Sequence, residues 1–181
     1  GPVDTSDKLG ITRKALAQLN SPIDITLLRR FSGSNEHNAG EPIWEVMRMI
    51  GQDLVEFITS LRQKIEQLKN VAQVWDFENN GETSKVVFIP RSDSATEDPS
   101  MGIGRYIESE GLQDSVVGTI YPDRRGEGYG LSRFNDYKGL DFTKINEQDD
   151  VHFAHARGFV AKTSATTPER LRELMAISLN D

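Results

Sequence analysis

The sequence contains no cysteine, which excludes disulfides and cysteine-based zinc sites and leaves the redox compartment unread. It has three histidines in 181 residues, His37, His152 and His155. No apolar run approaches the roughly 20 residues of a membrane-spanning helix, and no signal-peptide pattern opens the chain. There is no Asp-x-Asp or Asp-His-His run of the kind that holds two divalent ions a few ångströms apart. No serine sits in a nucleophile-elbow context. "MGIGRY" and "RRGEGYG" bring glycines close together, yet neither completes a P-loop or a dinucleotide fingerprint in the required strand-turn-helix order. The sequence therefore shows no complete catalytic constellation. An excess of basic charge is also lacking: the net charge is −7 and the pI about 5.1. Proteins that coat phosphate backbones are usually basic, so any nucleic-acid contact must come from a local patch.

What is present is ordinary for a soluble globular chain, with 36% hydrophobic and 27% charged residues. The length suits one domain or two small ones. Gly1-Pro2 reads as the scar of a cleaved tag, and the chain as a piece of a longer protein. Residues 3–70 read as a helical linker or N-terminal part. "ALAQL" and "DITLLRRF" are short amphipathic pieces, and "SGSNEHNAGEP" is a polar loop. From Ile43 to Leu68 the apolar residues recur at gaps of three and four, one helical stripe interrupted at Gly51. Pro42 suits its first turn. The polar face mixes both signs, which favours a core or connecting helix over a membrane-surface one.

Residues 71–181 read as an α+β domain. "VAQVWDF", "KVVFIP", "SVVGTIYP", "YGLSRF" and "VHFAHARGFVA" are β-branched and aromatic runs between turn residues. Asn79–Glu82 and "DRRGEG" read as hairpin turns, and "RSDSATEDPS" as a polar loop. A short helix closes at Gly111. A final helix starts at Pro168, with Thr167 as cap and Thr166 with Glu169 as a capping box. Leu171, Leu174 and Met175 face the sheet. The expected fold is a helical N-terminal part with a long helix, then a mostly antiparallel sheet with helices on one face.

"VHFAHARGFVAKTS" concentrates the chemistry. Strand alternation puts His155 and Arg157 on the same side as Phe153 and Phe159, an awkward mixture that predicts a bulge or turn near Ala156–Gly158. An arginine and an imidazole beside a glycine turn make a grip for phosphate or carboxylate. Arg133 on the preceding strand joins it, and Lys162 follows on the same run. The competing reading is that the histidines satisfy buried backbone groups and Arg157 is a surface ion pair. "QDD" at Gln148–Asp150, near His152, reads as an acidic turn before a strand, the commoner explanation than a metal site.

From Val116 to Leu179 the sequence resembles the tail of Myg-type exonucleases, a branch of the DHH phosphoesterase superfamily. The features that carry this are Tyr121-Pro122-Asp123, Arg133, Gly139-Leu140, the run Phe153-Ala154-His155-Ala156-Arg157-Gly158-Phe159, and the helix from Pro168. The resemblance implies a DHH-associated-domain-like fold and a substrate-binding role for Arg133, His155, Arg157, Gly158 and Lys162. It implies no catalytic residue and no metal ligand in this chain. Mn or Mg would belong to a missing DHH half joined in cis. The ligand would be a nucleotide or a single-stranded nucleic-acid end. The parent enzyme would be a metal-dependent nuclease or other phosphoesterase, this chain alone being inactive. A cytoplasmic location and no membrane partner are expected, and a homodimer is compatible. The alternative is a non-catalytic scaffold that keeps the fold and assembles through the long helix.

Overall fold

The computed structural model describes residues 42–79, 81–92 and 102–179. The amphipathic pieces and polar loop expected before Pro42, His37 among them, lie outside the described residues, as does most of the loop at 91–100. The chain divides into two units, residues 1–60 and 61–181. The boundary falls within the long helix rather than at its end.

That helix, α1, runs Pro42–Val71. Its last turns belong to the second unit. Leu68 is buried against Val87, Ile89, Ile103, Tyr106 and Ile107. The elements that follow are β1 (Gln73–Asn79), β2 (Glu82–Phe88), α2 (Ile103–Ser109), β3 (Val116–Pro122), β4 (Tyr129–Arg133), a 3-10 turn (Phe142–Ile145), β5 (Val151–Ala154), β6 (Val160–Thr163) and α3 (Pro168–Leu179). The six strands form one sheet in the order β1-β2-β3-β4-β6-β5. Only β2 and β3 run parallel. A parallel pair needs a crossover, and α2 lies on it.

Local sequence explains the joints. β1 and β2 pair up to Asn79 and Glu82, with Gly81 at φ 81° in the tight turn between them. α2 ends in a Schellman motif. Gly111 adopts φ 70°, its N–H reaches the Glu108 carbonyl, and the Leu112 N–H reaches that of Ile107. Leu112 then packs against the cluster around Leu68. At α3 the Arg170 N–H donates to Thr167 Oγ1 at 3.3 Å. Thr167 is therefore the cap, and this register leaves Glu169 at the second helical position rather than closing a box with Thr166.

The α+β class with a mostly antiparallel sheet is the observed one. Helices, however, cover both faces. Trp75, Val86, Phe88, Ile120, Leu131 and Ala161 pack with Leu171, Leu174 and Met175 of α3 and with the 3-10 turn. Val87, Ile89 and Val116 pack with α2 and the end of α1. The reason is written in the run Val86-Val87-Phe88-Ile89, all buried. A strand apolar on both faces needs cover on both. The expected single strand "VHFAHARGFVA" is two strands, β5 and β6, joined by the turn that its parity conflict demanded. Among the described residues no helix is long and apolar enough to cross a membrane.

Candidate functional site

The β5–β6 turn is built by three short bonds. The His155 N–H reaches the Val160 carbonyl at 2.9 Å, and the Gly158 N–H reaches the His155 carbonyl at 2.7 Å. His155 Nδ1 accepts the Arg157 N–H at 3.1 Å. That last bond fixes the tautomer: Nδ1 is the acceptor, so Nε2 carries the proton and is available as a donor. Gly158 sits at φ 67° and is buried. A Cβ there would overlap Asp141 Oδ1 and stand 3.3 Å from Arg133 Nη2. Only glycine fits the turn, on both conformational and steric grounds.

Aromatic rings border the imidazole. The His155 ring centroid lies 4.2 Å from Phe159 and 6.4 Å from Phe153. Phe153 and Phe159 are 43% and 38% exposed. Phenyl rings are costly to leave in water, so two of them flanking a histidine is informative. Arg157, at the tip of the turn, is exposed and its guanidinium has no ion pair among the described residues.

Register decides which predicted residues meet. Phe153 pairs with Lys162 and Ala154 with Ala161. Ala161 belongs to the α3-side core, so Phe153, His155 and Lys162 share the opposite face. Leu131 pairs with Ala161 and is also in that core. Arg133, two residues on, therefore leaves β4 on the α3 side. The expected convergence of Arg133, His155 and Arg157 on one face does not occur. Arg133 is only 9% exposed; its Nη1 stands 3.5 Å from Asp136 Oδ1 and its Nε donates to the Leu140 carbonyl. It ties down the loop through Asn135 and Asp136, both at positive φ, and supports the β5–β6 turn from beneath.

Asp141 completes this support. Its Oδ1 accepts from the Thr143 N–H at 3.0 Å and from Thr143 Oγ1 at 2.8 Å. The bond from the Thr143 backbone, outweighing burial, holds its carboxyl below the usual carboxylate range. The Phe142 N–H meets the Gly158 carbonyl at 3.0 Å, locking the loop to the turn.

Lys162 lies toward the other end of β6. Its Nζ is 3.2 Å from both carboxylate oxygens of Asp123. Burial pushes the Asp123 carboxyl up, but the Arg125 N–H and Lys162 together bring it below its ordinary value. The acidic turn before β5 has a structural partner. Arg170 donates to both oxygens of Asp150, at 2.8 and 2.9 Å, and to Gln148 Oε1 at 2.9 Å. The Arg170 bonds hold the Asp150 carboxyl down, and the pair raises Arg170. Among the described residues no three His, Asp or Glu side chains gather as metal ligands.

Sequence reasoning does not single out two groups here. Asp123 enters it only within Tyr121-Pro122-Asp123, and its pairing across the sheet to Lys162 has no sequence signal. Arg124-Arg125 reads as part of a turn, although two adjacent cations between a strand and two glycines carry a hint. Comparison with known proteins finds no matching family model, no matching curated protein and no matching solved structure.

Proposed function

We propose that the sheet unit grips a nucleotide or the end of a single-stranded nucleic acid, as the substrate-binding part of a DHH-type metal-dependent phosphoesterase. The observation that carries this is the pair of exposed rings, Phe153 and Phe159, flanking half-buried His155 beside a glycine-fixed turn with Arg157 at its tip. Exposed rings offer stacking surfaces to bases, worth about 1–3 kcal/mol per base. The His155 Nε2–H and the Arg157 guanidinium supply donors for phosphate oxygens. Gly158 lets the turn seat directly on Asp141 and Arg133, which hold it from the side away from the rings.

The chemistry of hydrolysis falls to a different domain. Asp141, the carboxylate at the turn, is held by Thr143, while Asp123 and Asp150 are paired with Lys162 and Arg170. Among the described residues these carboxylates do not gather as ligands for Mn or Mg. This chain supplies binding and orientation.

The test is fluorescence anisotropy of a labelled five-nucleotide single strand against the 181-residue protein. Phe159→Ala and His155→Ala should each weaken binding about tenfold, in line with roughly 1–3 kcal/mol for a lost stack or charge-assisted bond. Unchanged affinity in both variants removes the proposal. A second reading, assembly through α1, is favoured by Met49, Val55 and Phe57, which are 59%, 64% and 52% exposed. Sedimentation equilibrium reads it directly: a concentration-dependent dimer lost in Phe57→Glu supports it, and a monomer at all concentrations removes it.

A further inference from the structure

Between β3 and β4 the chain turns through Asp123-Arg124-Arg125-Gly126-Glu127-Gly128, and the turn is pinned from inside. Arg91 Nη2 donates to the carbonyls of Asp123, Gly126 and Gly128 at 3.2, 2.8 and 2.7 Å. Its guanidinium stands 5.8 Å from the centre of the Tyr129 ring. The Asp123 N–H closes the hairpin on the Gly128 carbonyl at 2.9 Å. A Cβ on Gly128 would run into the Thr163 carbonyl and stand 2.8 Å from Ser164 Cα. The hairpin thus lies directly against the end of β6, backbone to backbone.

This construction consumes backbone carbonyls and leaves cations outward. The side chains of Arg124 and Arg125 are exposed and have no ion pair among the described residues. Lys162 is 37% exposed, whereas its partner Asp123 is 11% exposed. The carboxylate is a buried buttress that also accepts the Arg125 N–H at 3.1 Å, and the ammonium is the group presented to solvent. His152, at the register shift in β5, lines the same surface. Two adjoining depressions of about 320 and 440 Å³ meet at Asp123, Arg125 and Lys162. Glu127 lines the larger depression as well, so Arg124, Arg125 and Lys162 outnumber the carboxylates Asp123 and Glu127 by one, a local positive excess in a chain of net charge −7.

We propose that this depression is a binding subsite for a phosphoryl oxyanion. Lys162 supplies a point charge whose position Asp123 fixes, and Arg125 a planar fork suited to two phosphate oxygens. His152 and Arg124 stand at the rim as further donors. A tetrahedral group with several oxygens engages such dispersed donors better than a planar carboxylate does. The subsite adjoins the aromatic patch, because Lys162 pairs directly with Phe153 on the same face, which places their Cβ atoms about 5 Å apart. It rests on the proposed nucleotide grip only for the identity of the molecule that carries the phosphoryl group.

The experiment is an ¹H–¹⁵N NMR titration of the 181-residue protein with sodium phosphate, against sodium chloride at matched ionic strength. A 5′-phosphorylated and a 5′-hydroxyl pentathymidylate follow as second and third probes. Phosphate should shift the amides of Arg125, Gly126, His152 and Lys162 saturably, with chloride leaving them in place. Arg125→Gln, an exposed change with no ion pair to lose, should weaken phosphate binding about tenfold, and Arg62→Gln, an exposed change on α1, should leave it unchanged. The phosphorylated strand should move the hairpin amides more than the hydroxyl strand. Equal shifts with chloride, or none at the hairpin while the strands shift Phe153–Phe159, overturn the subsite and leave the nucleotide grip standing. Hairpin shifts with phosphate but none at Phe153–Phe159 with either strand support the subsite and remove the grip.

Discussion

Gly158→Ala is the sharpest perturbation of the site's frame. Two costs add. An L-residue with a side chain at φ 67° pays about 1–2 kcal/mol for the left-handed conformation. The new methyl also overlaps Asp141 Oδ1, so the carboxylate must leave the Thr143 N–H and hydroxyl that it accepts from at 3.0 and 2.8 Å. Losing those bonds costs about 1–2 kcal/mol more, for a total of about 2–4 kcal/mol. Urea unfolding followed by far-UV circular dichroism should show the loss as a lower midpoint at unchanged slope. The double variant gives the mechanism. In an Asp141→Ala background the overlap is gone, so Gly158→Ala should cost only the backbone part, about 1–2 kcal/mol. A Gly158→Ala protein within about 0.5 kcal/mol of the parent, or a cost identical in both backgrounds, refutes the reasoning.

Three further outcomes follow from the same structure. Gly128→Ala drives its methyl into the Thr163 backbone and should detach the β3–β4 hairpin from β6, read as faster amide exchange at Tyr129 and Lys162, whereas Gly126→Ala, with open space around it, should not. Leu171→Ala empties a fully buried position under the sheet and should cost about 2–5 kcal/mol in urea unfolding. Asp150→Ala takes the two-oxygen acceptor from Arg170, which keeps Glu173 at 2.9 Å; because the pair is about a third exposed, the loss should be about 1 kcal/mol at pH 7. The Asp150 carboxyl is held below its unfolded value of about 3.9, so its contribution is full above that pH and disappears as pH falls through the folded value. The difference between Asp150→Ala and the parent should therefore be constant from pH 7 to 5 and shrink below about pH 4.

The parts of the fold legible in the sequence were those set by short-range chemistry. The α1 stripe, the Gly81 and "DRRGEG" turns, the Gly111 stop and the Thr167–Pro168 start are each written within a few residues, and each stands where the spacing placed it. The parity conflict around His155 likewise announced a turn. What escaped was long-range. Nothing local says that β2 and β3 are parallel, so the cover that α2 gives to the second face was not foreseen. Arg133 and His155 are separated by a register set through Ala161, which only the assembled sheet reveals. The Asp123–Lys162 pair, 39 residues apart in sequence, was invisible for the same reason.

In the proposed grip the rings of Phe153, His155 and Phe159 contact a nucleotide chain. Titrating the ¹⁵N-labelled protein with a five-nucleotide single strand tests it most directly. The expected result is saturable shifts centred on Phe153 and on residues 155–159, with affinity falling about tenfold in Phe159→Ala, the equivalent of about 1.4 kcal/mol. Saturable binding that shifts only α1 or α3, or no shift on this face at millimolar strand, would contradict it.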